Sequence, residues 1–182
     1  MGKKNTRQLV FLLREADGLG KSVIGGKGFG LVEMTKLGLP VPPAFAILAG
    51  ASRAFLEEGM LPKRLEWQLR RGIADLEKQT GRKFGGRERP VLVSVRSGAK
   101  VSMPGMMDTI LNLGLNQASR KGFADEVGET QGATVQSLFE SGFRKATGAA
   151  EIPEDPWTQL RLAIATVCRS WESPRAVAYR KA

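Results

Sequence analysis

Histidine is absent from this sequence of 182 residues, and its absence narrows the chemistry open to the chain. Histidine is the commonest general base and the commonest metal ligand in proteins, and it is the acceptor in phosphohistidine mechanisms. Cysteine is almost absent too, because Cys168 is the only one, so neither an internal disulfide nor a cysteine-based metal site can form. This composition fits a reducing compartment, and we expect Cys168 to be a packing residue.

Long hydrophobic runs are missing as well. The apolar stretch at residues 9–13 is far too short for a signal-peptide core or a membrane span, so we expect a soluble cytoplasmic protein. Residues 1–6 formally match the Met-Gly-x-x-x-Ser/Thr acylation pattern, although a pattern with so few fixed positions often arises by chance.

Positive charge is in excess, since 28 Lys and Arg residues against 18 Asp and Glu residues give a formal net charge of +10. The resulting field attracts anions such as nucleotides, phosphorylated metabolites and nucleic acids. The basic residues are spread along the chain with few aromatic residues among them, which argues against a stacking platform for nucleic acid. Nucleic-acid binding therefore ranks last among these possibilities.

The first half of the sequence predicts short strands and helices. Residues 9–13 form a candidate strand, and a proline-rich stretch forces an extended entry into a second strand at residues 44–48. A short helix is predicted between the two strands, because three apolar residues there recur at helical spacing and Gly38 can end the helix. The three residues are Leu31, Met34 and Leu37. A longer amphipathic helix is predicted from Pro62 to Gly81.

The second half predicts two more strands and several helices. Residues 91–95 predict a buried β-branched strand and residues 109–113 another, joined by a long loop rich in methionine and glycine. Residues 117–150 predict two helices, the second with four apolar residues on one face: Val135, Leu138, Phe139 and Phe143. Asp155 followed by Pro156 predicts the start of a further helix.

These elements predict an α/β (α+β) fold, with a small mixed sheet flanked by helices. Residues 1–116 and 151–182 are expected to form one subdomain, and residues 117–150 a small helical subdomain appended to it.

A glycine-rich segment at residues 25–28, Gly-Gly-Lys-Gly, is the first candidate for binding chemistry. Glycines at a turn into a helix let a phosphate approach backbone N–H groups, and Lys27 adds a positive charge. A tight turn with a solvated lysine is the alternative. A Walker P-loop is excluded, because Glu15 stands where that motif requires its leading glycine.

Arg96 is the second candidate, in the segment Ser-Val-Arg-Ser-Gly at residues 94–98, where a strand ends. Its guanidinium could bind two phosphate oxygens with fixed geometry. A structural ion pair with a carboxylate is equally open.

The third candidate is the segment Ser-Met-Pro-Gly-Met-Met-Asp-Thr at residues 102–109. Its backbone donors, hydroxyls, carboxylate and flexible thioethers could fold over a triphosphate and exclude water. Alternatively, it is a surface loop whose methionines patch the core.

Together these segments resemble the nucleotide-binding end of the pyruvate, phosphate dikinase family. The likeness covers about three quarters of the chain in the same order, through residues 25–28, 33–34, 37–43, 94–99, 102–116, 155–157, 169–171, 174–176 and 179–180. The segment at residues 102–109 is specific to this family, because the related phosphoenolpyruvate synthases lack its Met-Pro-Gly loop.

The resemblance implies an ATP-grasp nucleotide site, with ATP and Mg²⁺ as cofactors. Lys27 and Arg96 match the family's basic phosphate ligands, and the glycine-rich phosphate loop supplies the remaining candidates: Ser102, Gly105, Met106, Asp108 and Thr109. In the family, ATP and phosphate are used to phosphorylate a histidine on a swivelling domain, which passes the group to pyruvate.

Departures from the family are expected to be large. The second ATP-grasp lobe with the acidic residues that hold magnesium, the histidine domain and the pyruvate-binding barrel have no counterpart in these residues, and the helical appendage is shorter. We therefore expect the ATP-binding portion of such a phosphotransferase, without catalytic residues of its own and inactive alone. Its partners would be ATP and the missing domains or another chain. A non-catalytic nucleotide-binding or regulatory module derived from the fold is the alternative.

Overall fold

Short strands and amphipathic helices make up the computed structural model, which describes residues 8–98 and 105–181. The helices in these ranges are α1 Lys21–Lys36, α2 Ala49–Glu58, α3 Lys63–Thr80, α4 Gln117–Val127, α5 Glu129–Thr147, α6 Pro156–Arg169 and α7 Pro174–Lys181. The strands are β1 Val10–Leu12, β2 Phe45–Ile47, β3 Lys83–Phe84, β4 Pro90–Val91, β5 Val93–Arg96 and β6 Thr109–Leu113. The described residues divide into two compact units, one of residues 8–79 with residue 98 and one of residues 80–97 with 105–181.

The first unit is built on the antiparallel pair β1 and β2, in which Phe11 lies opposite Ala46. The side chain of Gln68 on α3 completes the hydrogen bonding at the start of β1. Its Oε1 accepts hydrogen bonds from the N–H groups of Leu9 and Val10 at 2.7 and 3.0 Å. Because buried backbone donors are costly to leave unpaired, this glutamine fixes α3 against the sheet.

Helix α3 approaches β2 closely because it carries a glycine at the point of contact. A Cβ on Gly72 would lie 2.8 Å from the ring of Phe45. Any larger residue at this position would push the helix and the strand apart.

The second unit is built on the antiparallel pair β5 and β6. Val95 lies opposite Ile110 and Val93 opposite Leu113, so one intervening residue of β5 faces two of β6. The extra residue is a β-bulge, and Asn112 within it has a φ of 60°, which asparagine tolerates better than most residues. The bulge lets Ile110 and Leu113 both face the core although they are three residues apart, and their exposed fractions are 1% and 0%.

Helices α5 and α6 pack on β6 and form the core of this unit. Phe139 and Phe143 of α5 are fully buried, with ring centroids 5.6 Å apart. Gln159 of α6 is also fully buried, and its amide makes three hydrogen bonds of 2.7–2.9 Å to backbone groups after β6 and before α6. A buried amide satisfied in this way ties the helix to the end of the strand.

Side-chain caps define where two of these helices begin. Asp155 accepts hydrogen bonds from the N–H groups of Trp157 and Thr158 at 3.3 and 2.9 Å, directly before α6. Asn116 and Ser119 form a reciprocal capping box at the start of α4. The predicted start of α6 at Asp155 and Pro156 is thereby confirmed.

The predicted mixed α/β fold is confirmed. The sheet differs from the prediction, because the strands of residues 8–98 and 105–181 form three two-stranded sheets, and only the pair β3 and β4 among them is parallel. The boundaries predicted for a helical subdomain at residues 117–150 stay a prediction.

Residues 91–95 do not form one buried strand, and this prediction was wrong. The run is divided between β4, which pairs with β3, and β5, which pairs with β6, and along β5 half-buried residues alternate with exposed ones. The reason is that two partner strands share the run and α6 packs against β5 on one side.

Two predicted apolar faces also need correction. Leu138 of α5 is 62% exposed, because it is one residue, about 100° of helix rotation, away from the buried Phe139. In α1 the buried residues are Ile24 and Val32, whereas Leu37 is 77% exposed and lies beyond the end of the helix. The predicted end of the helix is therefore correct, but the residues used to predict it are not the ones that face the core.

Candidate functional site

Lys27 lies in α1, two residues after a break in that helix. Gly25 has φ 73° and ψ 168°, a conformation that is essentially restricted to glycine, so the helical path stops and starts again. The predicted turn at this glycine is present, but the helical turn before it was not expected. A restarted helix presents first-turn N–H groups and the positive end of its dipole, and Lys27 is exposed within that first turn.

Gly25 also makes a close backbone contact within the first unit. A Cβ placed on it would lie 1.5 Å from the carbonyl oxygen of Gly98, so no other residue fits without moving that segment. The glycine is required here both for its φ and for the approach of a second stretch of backbone.

Arg96 lies at the end of β5 in the second unit, directly opposite Thr109 of β6. Both residues are exposed. Opposite residues of an antiparallel pair project from the same face, so the guanidinium and the hydroxyl stand side by side. Among the described residues of this unit, no carboxylate forms an ion pair with Arg96, which gives no support to the structural ion-pair alternative.

The end of the glycine-rich loop is attached to the C-terminal helices of the same unit. Arg175 of α7 forms an ion pair with the carboxylate of Asp108, and its Nε donates to the carbonyl oxygen of Met106 at 3.0 Å. The N–H of Asp108 donates to Oγ of Ser170 at 3.2 Å. The carboxylate of Asp108 is thus engaged by a cation of the chain itself.

The structure therefore gathers most, but not all, of the predicted site residues in one unit. Arg96 and Thr109 are cross-strand partners. The loop residues of the predicted site lie between them in the sequence and lead into β6: Gly105, Met106 and Asp108. Lys27 belongs to the other unit. Ser102 lies outside the described residues. Convergence of Lys27 and Arg96 on one pocket stays a prediction.

Two residues that contact the loop were not singled out from the sequence. Arg175 belongs to the segment Pro-Arg-Ala at residues 174–176, and Ser170 belongs to Arg-Ser-Trp at residues 169–171. Both segments served only as part of the family resemblance. No local pattern marks either of them, because their partners are 62 to 69 residues away in the chain.

Two features are absent from the described residues. Residues 8–98 and 105–181 contain no cluster of three or more His, Cys, Asp or Glu side chains that could hold a metal ion. Within the same ranges, no helix combines the length and the apolar character needed to cross a membrane.

Comparison with known proteins defines the class of this domain. A family profile described as "Pyruvate phosphate dikinase, AMP/ATP-binding domain" matches residues 21–71 and 59–182. The chain is thus an adenine-nucleotide-binding domain by descent. It belongs to the pyruvate, phosphate dikinase family, and the resemblance inferred from the sequence is confirmed.

Individual relatives agree with this assignment. The chain is 34% identical to pyruvate, phosphate dikinase of Clostridium symbiosum over 94% of its own length and 25% of that protein. It is 36% identical to the enzyme of Entamoeba histolytica over 96% and 25%, and 38% identical to that of Rhizobium meliloti over 86% and 23%.

The chain spans about a quarter of the length of these relatives. The alignment with the Clostridium symbiosum enzyme extends over 221 positions, whereas this chain has 182 residues, so that relative carries additional residues inside the matched region. A shortened helical appendage would produce a difference of this sign. That the additional residues of the relative fall within the appendage stays a prediction.

Proposed function

We propose that this chain forms the phosphate-binding part of an ATP-grasp nucleotide site, in which Lys27 and Arg96 bind the same ATP molecule. The resemblance carries the proposal, because both residues match the family's basic phosphate ligands, and the profile described as an AMP/ATP-binding domain covers both. In the first unit, Lys27 follows Gly25, the glycine that contacts Gly98. In the second unit, Arg96 ends β5 opposite Thr109.

The chemistry of the two cations suits a polyphosphate. Arg96 offers a planar fork that can bind two oxygens of one phosphate, and Lys27 offers a compact charge on a flexible stem. The restarted helix at Gly25 adds N–H groups near Lys27 that favour an anion. The net charge of +10 attracts ATP from solution but does not select it.

The loop that ends at Thr109 supplies further polar groups beside Arg96. In the proposed site Thr109 donates its hydroxyl to a phosphate oxygen, while the backbone around Gly105 and Met106 covers the phosphates. Gly105 has a φ of 70°, which suits a backbone that must turn closely over a ligand. Ser102 is proposed as a ligand in the same loop from the resemblance alone.

Magnesium is proposed to arrive with ATP as its phosphate-bound counter-ion. The carboxylates of the described residues do not fit a metal site, since they form no cluster of three ligands and Asp108 is paired with Arg175. We assign no magnesium ligand to this chain.

Catalysis by this chain alone is not part of the proposal. The reaction of the whole relatives, as the resemblance implies it, passes through a phosphorylated histidine, and this sequence has none. We propose that the chain contributes the ATP-binding portion to such a phosphotransferase in a reducing, cytoplasmic location, which the single buried Cys168 favours.

A non-catalytic regulatory module is the second candidate, favoured by the same lack of histidine. Mixing the chain with the remaining domains of a relative separates the two candidates. Restored formation of phosphoenolpyruvate supports the phosphotransferase portion, and ATP binding without any restored activity supports the module.

Calorimetric titration with MgATP tests the binding proposal. Substitution of Lys27 or Arg96 by Ala should weaken binding by about tenfold each, the loss expected for one charge-assisted hydrogen bond. Lys145→Ala, which removes the same charge from an exposed position on α5, is the matched control and should retain wild-type affinity. Equal affinity in all four proteins would contradict the proposed site.

A further inference from the structure

The carboxylate of Asp108 poses an electrostatic problem at the proposed site. It stands next to Thr109 in a loop that is proposed to cover the phosphates of ATP, and an uncompensated carboxylate there would repel them. Arg175 pairs with this carboxylate, and the side chains of the pair are 50% and 28% exposed, respectively. The pair is therefore reachable by solvent but not fully screened.

Arg175 binds two points of the loop at once. Its Nη2 pairs with the carboxylate of Asp108, while its Nε donates to the carbonyl oxygen of Met106 at 3.0 Å. The two acceptors are two residues apart, so a rigid guanidinium bound to both fixes the backbone between them. A lysine has a single charged nitrogen on a flexible stem and cannot reproduce this geometry.

Ser170 provides a third and more deeply buried attachment. It is 4% exposed, and its hydroxyl donates to the carbonyl oxygen of Val167 at 2.7 Å. Because that bond uses the only hydroxyl proton, a lone pair of Oγ is left to accept the N–H of Asp108 at 3.2 Å. The end of the loop is thus held by Ser170, which directly follows α6, and by Arg175 of α7.

The attachment controls the position of the proposed ligands. Asp108 directly precedes Thr109, the cross-strand partner of Arg96. Fixing Asp108 therefore fixes the start of β6, and with it the relative positions of the hydroxyl and the guanidinium. Preorganisation of this kind lowers the ordering cost of binding.

From these contacts we infer that Arg175 is a positioning residue for the phosphate-binding loop, acting through Asp108 and Met106 and not by touching the nucleotide. This inference rests on the proposed function, because the loop is assigned to ATP there. Ser170 assists Arg175 by holding the N–H of Asp108.

Two measurements on the intact chain test the inference: hydrogen exchange of the peptide covering residues 105–113, and calorimetric titration with MgATP. Arg175→Ala should speed exchange in this peptide several-fold and weaken ATP binding by about fivefold, which corresponds to about 1 kcal/mol for a partly exposed pair. Arg175→Lys should recover only part of the affinity. Arg144→Ala removes an arginine of α5 that pairs with Glu140 in its own helix, so it should leave both readouts unchanged.

The double variant with Asp108→Asn distinguishes positioning from direct contact. Once the carboxylate is gone, loss of Arg175 no longer leaves an unpaired negative charge near the phosphates. In that background Arg175→Ala still removes the hydrogen bond to Met106, so it should cost about twofold instead of fivefold, since coupled residues show non-additive effects. An unchanged fivefold loss would show that Arg175 does not act through Asp108, and the inference would be overturned.

Three further outcomes would also overturn it. In the first, Arg175→Ala lowers the melting temperature, but hydrogen exchange in residues 105–113 and the ATP affinity of the folded chain stay at wild-type values. That result would indicate a purely structural role for Arg175. Alternatively, a wild-type chain that binds no ATP would overturn the proposed function and this role together. Wild-type affinity in Arg175→Ala, in a chain that does bind ATP, would overturn the positioning role alone.

Discussion

Gly25→Ala is the substitution for which the structure gives the sharpest expectation. The new Cβ would lie 1.5 Å from the carbonyl oxygen of Gly98 and 2.4 Å from its carbonyl carbon. Real Cβ atoms do not approach backbone this closely, so the segment at Gly98 must move away. In addition, φ 73° with ψ 168° is a region that only glycine occupies readily.

The magnitude follows from these two costs. Backbone strain of this kind costs about 1–3 kcal/mol, and displacement of Gly98 adds to it because the neighbour is backbone and cannot rotate aside. For a chain of this size, 1 kcal/mol shifts the melting temperature by about 2–4 °C, so we expect a decrease of at least about 2 °C.

Thermal unfolding followed by circular dichroism measures this decrease, with Gly30→Ala as the matched control. Gly30 lies in the same helix, and a Cβ there meets no atom within 4 Å. The control should be neutral or stabilising by up to about 1 kcal/mol, because alanine favours helix. A difference of about 1 °C in melting temperature corresponds to about 0.3 kcal/mol. If Gly25→Ala melts within that margin of the wild type, the close approach of Gly98 is refuted.

Two other predictions concern α6. Gln159→Met keeps the volume but leaves two buried backbone groups and one half-buried group without their partner, so it should lower the free energy of unfolding in urea by about 2–4 kcal/mol. A loss below about 0.5 kcal/mol would be inconsistent with the buried amide. Asp155→Ala should cost about 1 kcal/mol at neutral pH, as expected for an N-cap. The hydrogen bond from the Thr158 side chain lowers the pKa of Asp155, with the backbone N–H groups of α6 acting in the same direction. The folded chain therefore binds this proton less readily than the unfolded chain, so the stabilisation is full above the ordinary aspartate pKa and is lost as pH falls through the lowered value. Unfolding of both proteins at a series of pH values from neutral into acid would show the difference in stability shrink as the pH falls. A difference that grows in acid would be the wrong sign.

Elements with local signals could be predicted from the sequence. The start of α6 follows from Asp155 and Pro156, and the extent of α3 follows from Pro62 and Gly81, because caps and proline restrict the backbone within a few residues. The strand at residues 109–113 agrees with β6. These features depend on neighbouring residues in the chain, so the local sequence pattern is sufficient to predict them.

Features that depend on distant partners could not be predicted. Gln68 and Gln159 are polar residues on helices, and all but one of their backbone partners lie 44 to 59 residues away, so nothing local marks them as buried. The division of residues 91–95 between two sheets likewise depends on which strands pair, which periodicity does not reveal. The bulge at Asn112 did leave a signal, since two adjacent apolar residues, Ile110 and Leu111, break strict alternation just before it.

The candidate site shows the same division. Resemblance and chemistry pointed to Lys27, Arg96 and the loop, and the structure brings Arg96 and Thr109 side by side. The pairing of Asp108 with Arg175 was beyond the sequence, because a charged residue has many possible partners and 67 residues separate these two.

The central claim, that Lys27 and Arg96 bind one ATP molecule, is tested most directly by ATP protection of lysine side chains from acylation, followed by mass spectrometry. ATP should slow modification of Lys27 but not of the exposed Lys145, and in Arg96→Ala about tenfold more ATP should be needed for the same protection. If Lys27 reacts as fast with ATP as without it, or if its protection is unchanged when Arg96 is replaced, the two residues do not share a ligand.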